Sequence, residues 1–112
     1  MAMTFKQVAK MIKDIGLPYS YYQFNNGTAV APPFICYFYT ADNDLLADNS
    51  NYQKIENLVV ELYTDEKDFA NEALIETALN DAGLVYSREE SYLDSEKLYM
   101  VIYSCGVVIL EV

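Results

Sequence analysis

The sequence predicts an α+β fold: a mainly antiparallel sheet of about five strands with two helices packed on one face, in the order α-β-β-β-α-β-β, with residues 1–112 forming a single domain. Three observations predict it. Two segments carry apolar residues at helical spacing between start and stop signals. Several runs rich in aromatic and β-branched residues are joined mostly by short turns. The 112 residues, 53% of them hydrophobic, suffice for one core and leave no room for a second.

The first helix opens at Thr4, and Gln7 three residues on completes a capping-box pattern. Val8, Met11, Ile12 and Ile15 form its apolar face, with Lys6, Lys10 and Lys13 on the opposite side. Gly16 and then Pro18 stop it. The lysine stripe reads either as a solvated face or as a contact surface. An aromatic strand, Tyr19 to Phe24, follows and ends at the turn signal Asn25-Asn26-Gly27. Residues 29–33 lead into a second strand, Phe34 to Thr40. Phe34, Cys36 and Phe38 take one of its faces and Ile35, Tyr37 and Tyr39 the other. Both are apolar, so this strand is either central and covered on both sides or buried in an oligomer contact.

Residues 41–51 form a polar loop with Leu45 and Leu46 in its middle. A third strand, about Gln53 to Tyr63, points Leu58, Val60 and Leu62 one way and Val59, Glu61 and Tyr63 the other. Asp65, with Asp68 three residues later, caps a second helix running to about Ala82. Its inner face is Leu74, Ile75, Ala78, Leu79 and Ala82, its outer face Glu72, Glu76 and Asn80, and Gly83 is its C′ residue. Leu84 to Leu93 and Glu96 to Ser104 read as a hairpin turning at Asp94 and Ser95. Val107 to Val112 extends the sheet past a break at Gly106.

Composition removes several kinds of chemistry. The chain has no His, which removes Ser-His and Cys-His dyads and any zinc site built on imidazole. A net charge of −10 argues against a nucleic-acid binder working through phosphate contacts. The charge is uneven: Lys6, Lys10 and Lys13 against Asp14 alone leave residues 1–15 at +2 and the remainder at −12. Such asymmetry suits a self-assembling subunit whose basic end meets the acidic body of a neighbour.

Asp42, Asp44 and Asp48 begin like a calcium loop, but Leu46, Ala47 and Gln53 stand where a ligand, a glycine and a glutamate are needed. Glu61, Glu89 and Glu90 have no spacing that fixes a catalytic pair, and alternating charge on a strand is ordinarily its wet face. The four glycines are scattered and make no phosphate loop. Cys36 and Cys105 have no basic sequence neighbour to activate them, sit in apolar runs, and cannot make a disulfide framework. No catalytic, metal or cofactor site is therefore expected, and the protein is not expected to be an enzyme. The amphipathic start is not a secretory core, and Val107 to Leu110 is too short to span a bilayer, so no membrane partner is expected. Eleven tyrosines fall mostly on predicted strands, more than so small a domain easily buries with five phenylalanines, and some are expected to meet a partner.

Leu17-Pro18-Tyr19, the PPFICYFYT strand, Ala47-Asp48-Asn49, ELYTDEKD at 61–68 and ESYLDSEKLYMVIYS at 90–104 recur together in this order in a known family. Over residues 15–104 the chain resembles small proteins of phages and prophages of Gram-positive bacteria, similar to the tail terminator, or tail completion, proteins of long-tailed phages. The resemblance implies a structural protein that forms a ring, typically a hexamer, on the last tail-tube ring and presents the docking surface for the head. Its implied partners are itself, tube and neck proteins, and DNA passing through the lumen without specific binding. Its implied location is the host cytoplasm during assembly and then the virion. Candidate assembly contacts are Lys6, Lys10 and Lys13 on the first helix and Asp42, Asp44, Leu45, Leu46 and Asp48 in the loop. The competing expectation is an acidic DNA mimic that binds a host protein, with Glu72 and Glu76 as its one short helical stripe of charge.

Overall fold

The computed structural model describes residues 2–24, 30–40 and 54–110. The elements are β1 (Ala2–Met3), α1 (Phe5–Ile15), β2 (Tyr19–Tyr21), β3 (Phe34–Thr40), β4 (Lys54–Thr64), α2 (Phe69–Asp81), β5 (Tyr86–Leu93) and β6 (Leu98–Ile109). All six strands join one sheet. β6 pairs antiparallel with the whole of β4, from Lys54↔Ile109 to Thr64↔Tyr99. Its other edge takes β5, antiparallel from Tyr86↔Cys105 to Leu93↔Leu98, and beyond that β1, parallel through Ala2↔Val108 and Met3↔Ile109. On the far side of β4 come β3, antiparallel, and then β2, parallel.

The α+β class and the two helices on one face are present, but the sheet is mixed rather than mainly antiparallel and begins one strand earlier than expected. Two short strands account for both differences. A two-residue strand shows no period, and β2, only three residues long, returns to β3 through an intervening segment long enough for a parallel approach. The strand expected past a break at Gly106 is instead the continuous end of β6, where Gly106 pairs with Asn57.

Local chemistry explains the helix bounds. The Thr4 hydroxyl accepts from the Gln7 N–H at 3.0 Å, and the Gln7 side chain accepts from the Thr4 N–H at 2.9 Å, so two of the unpaired donors at the start of α1 are satisfied reciprocally. Gly16, with φ of 95°, ends α1 in a left-handed conformation that an L side chain adopts at a cost. Asp68, not Asp65, caps α2, accepting from the Asn71 N–H at 3.0 Å.

Register sets the core. Ile35–Leu62–Val101, Tyr37–Val60–Tyr103 and Tyr39–Leu58–Cys105 form three cross-strand rungs on the face that the helices cover. Val8 and Ile12 of α1, with Ile75 and Leu79 of α2, close over them, and all four are essentially inaccessible. The expected face of α2 is corrected: Glu72 is buried at 4% exposure, whereas Leu74 is 47% exposed. The helix is rotated so that its glutamates look toward β5 and β6, where cations wait for them.

Candidate assembly surface

The sheet's second face carries no helix among the described residues. Its rungs are Phe34–Tyr63–Met100, Cys36–Glu61–Ile102 and Phe38–Val59–Ser104. Phe34 stacks on Tyr63 with ring centroids 4.9 Å apart, Phe24 meets Phe34 edge-on at 5.3 Å, and Tyr22 meets Phe38 edge-on at 5.5 Å. On this face Cys36 and Val59 are buried, to 4% and 7% exposure. Burial, with the nearby Glu61 charge, pushes the Cys36 thiol up to about 11, so it stays protonated. The Tyr63 hydroxyl donates to Glu61 at 2.8 Å; burial first, and then that bond, hold its proton well above the ordinary range. On β3, β4 and β6 the described residues of this face are thus largely apolar and aromatic, and the Glu61 carboxylate is bonded by its neighbouring tyrosine.

A different surface carries the basic stripe. Lys6, Lys10 and Lys13 are all exposed on α1, and with Thr4, Gln7 and Asp14 they border a shallow hollow. Lys10 pairs with Asp14 at 2.8 Å across one helical turn, a solvated pair that contributes little to stability. The structure therefore brings the three predicted lysines together. Asp42, Asp44, Leu45, Leu46 and Asp48, the other predicted contacts, lie outside the described residues, as does the Asn25-Asn26-Gly27 turn.

Periodicity missed a polar cluster between α2 and β5. Glu72 is held by Lys67 at 2.8 Å on one oxygen and by Arg88 at 3.0 Å on the other. Lys67 also pairs with Glu90, and Arg88 lies 3.8 Å from Glu76, which accepts from the Tyr103 hydroxyl at 2.8 Å. Hydrogen bonds to Glu72 and then Glu90 raise the Lys67 pKa. The signal was present but spread along the chain: the cations stand five residues before and sixteen after Glu72. Both Glu72 oxygens face cations, so the cluster is built to anchor α2 to the sheet, and it removes Glu72 from any solvent-facing stripe.

Among the described residues no group of three or more Cys, Asp or Glu is placed to hold a metal ion, and no helix is long and apolar enough to cross a membrane. Compared with known proteins, the chain matches no family model and no curated sequence.

Proposed function

We propose that the protein is a structural component of a phage virion, a tail terminator that assembles as a ring on the end of the tail tube and joins it to the head. The observation that carries this reading is the half-buried aromatic face of β3, β4 and β6, which no helix covers among the described residues. Half-buried aromatic side chains of this kind characterise protein contacts, where ring and polar tip are both used. The occupant is a second copy of the chain. The basic stripe and the acidic body lie on distinct patches, as a head-to-tail contact requires, and such contacts close into a ring when the rotation between copies closes. The resemblance of five sequence segments, in order, to small phage proteins similar to tail terminators supports the same reading.

Electron microscopy of the protein mixed with its cognate tail-tube protein over a concentration series tests it. Rings, or tubes capped at one end and limited in length, are the expected result. Bare tubes of unregulated length would overturn the terminator role and direct attention to other neck positions and to host proteins.

A further inference from the structure

Tyr22, the residue after β2, holds a backbone conformation that its residue type disfavours. Among the described residues two besides glycine have positive φ, Tyr22 at 71° and Lys97 at 57°. Lys97 closes the β5–β6 hairpin, its N–H donating to the Leu93 carbonyl at 2.7 Å, and hairpin geometry accounts for it. β2 and β3 are parallel, so Tyr22 closes no hairpin. It is the central residue of a three-residue turn in which the Gln23 N–H donates to the Tyr21 carbonyl at 2.8 Å. With positive φ such a turn is the rare, strained form. The Tyr22 N–H, donating to the Tyr37 carbonyl at 2.7 Å, and the Ser20 hydroxyl, donating to the Gln23 carbonyl at 2.8 Å, hold it there. Glycine would occupy this position without the steric cost that a bulky side chain incurs.

The turn decides where the ring goes. Tyr21 lies on the helix-covered side, edge-on to Tyr37 at 5.2 Å, and the turn carries Tyr22 to the opposite face, edge-on to Phe38 at 5.5 Å. There it is 61% exposed, the most of any tyrosine among the described residues. An exposed ring on a fixed backbone, braced by a second ring, has little freedom left to lose on binding. Tyrosine is prominent among the residues that dominate protein contacts, and strained backbone persists where a site needs it. The charged side chains on the described rungs of this face are Glu61 and Glu89, the latter paired in register with Ile102, and both are acidic. The chain's own complement is the exposed stripe of Lys6, Lys10 and Lys13, across the sheet on α1. Each copy thus carries an aromatic, acidic face on one side and a basic one on the other, and a second copy is the partner that fits.

We propose that Tyr22 is the anchor through which this sheet face binds a second copy of the chain, its ring presented by the strained turn; the inference rests on the self-assembly reading above. The test compares the whole chain with Tyr22→Phe, Tyr22→Ala and Tyr22→Gly. Thermal unfolding of dilute protein reads the strain, and sedimentation over a concentration series, with and without the cognate tube protein, reads assembly. Tyr22→Gly should melt about 4 °C above Tyr22→Ala, since both lack the ring and glycine accepts the positive φ. Both should nevertheless need at least about tenfold more subunit to assemble than the unaltered chain, whereas Tyr22→Phe stays within about threefold of it. A merely structural role would make assembly follow stability. Recovery of assembly in Tyr22→Gly relative to Tyr22→Ala, unchanged assembly in either, or a glycine variant that melts no higher than the alanine one would therefore each overturn the proposal. Capping of tubes that is indifferent to Tyr22 would overturn the anchor and keep the terminator reading. Self-association that depends on Tyr22 but caps no tube would support the anchor and remove that reading, and a chain that stays monomeric with and without tubes would overturn both.

Discussion

At the scale of single residues, Glu72 is the most consequential side chain. It is buried, and Lys67 and Arg88 reach it from either side. Replacing either cation alone by Met leaves Glu72 one partner and should cost about 1 kcal/mol. Replacing both strands a buried charge and should cost about 3 kcal/mol or more, beyond the sum of the single changes. A double-mutant cycle read by urea denaturation measures the excess, and strict additivity would show that the two cations act independently. Buried protons give a second residue-scale prediction. Tyr103, buried and bonded to Glu76, and Tyr63 and Tyr39 hold their protons well above the ordinary 10.0, and Cys36 and Cys105 hold theirs to about 11 against 9.0. Above about pH 9 the folded chain therefore binds more protons than the unfolded one, so stability is full below that pH and falls as pH rises. The urea midpoint should decline between about pH 9 and pH 11, less steeply in Tyr103→Phe, whereas a flat profile would contradict the burial of these groups. None of this is visible in single positions of the sequence, because burial in the packed fold is the first cause of each shift.

At the scale of elements, the sequence was most legible where local chemistry decides the structure. The Thr4–Gln7 box, the Gly16 stop, the bounds of β3 and the β5–β6 hairpin all follow from residues within a few positions of one another. The parallel strands and the orientation of α2 did not follow, since partners far along the chain set them. Asp65 was a plausible cap by residue type, but the bond to Asn71 is made by Asp68. Two glycines show how conformation and space divide the work. A Cβ at Gly16 would meet nothing within 4 Å, yet its φ of 95° makes Gly16→Ala cost about 1 kcal/mol. A Cβ at Gly106 would touch only Ile55, at 3.9 Å, and its backbone is already that of a strand. Gly106→Ala should therefore stabilise by about 0.5 kcal/mol. Thermal unfolding of the two variants checks both signs, and a shift in the same direction for both would refute this division.

At the scale of the whole molecule, the fold sorts its surface into three regions: an aromatic sheet face, a basic helix stripe and a predominantly acidic remainder. The strand with two apolar faces was read from the sequence as covered twice or buried in an oligomer, and among the described residues helices cover only one side of it. If α1 meets an acidic neighbour in a ring, replacing Lys6, Lys10 and Lys13 together by Glu should weaken closure at least about tenfold in the subunit concentration required, while leaving the fold intact because all three are exposed. Sedimentation in the presence of the tube protein measures it, and unchanged assembly would remove that contact from the ring. The pairing of β1 with the end of β6 has a different kind of consequence, one of timing. β5 covers β6 only as far as Cys105, and Ala2 and Met3 cover Val108 and Ile109. During translation Ala2 and Met3 are made long before Val108 and Ile109. They must therefore wait while both helices and the four strands between are synthesised, and a nascent chain that stalls short of Val108 leaves them with no strand to join.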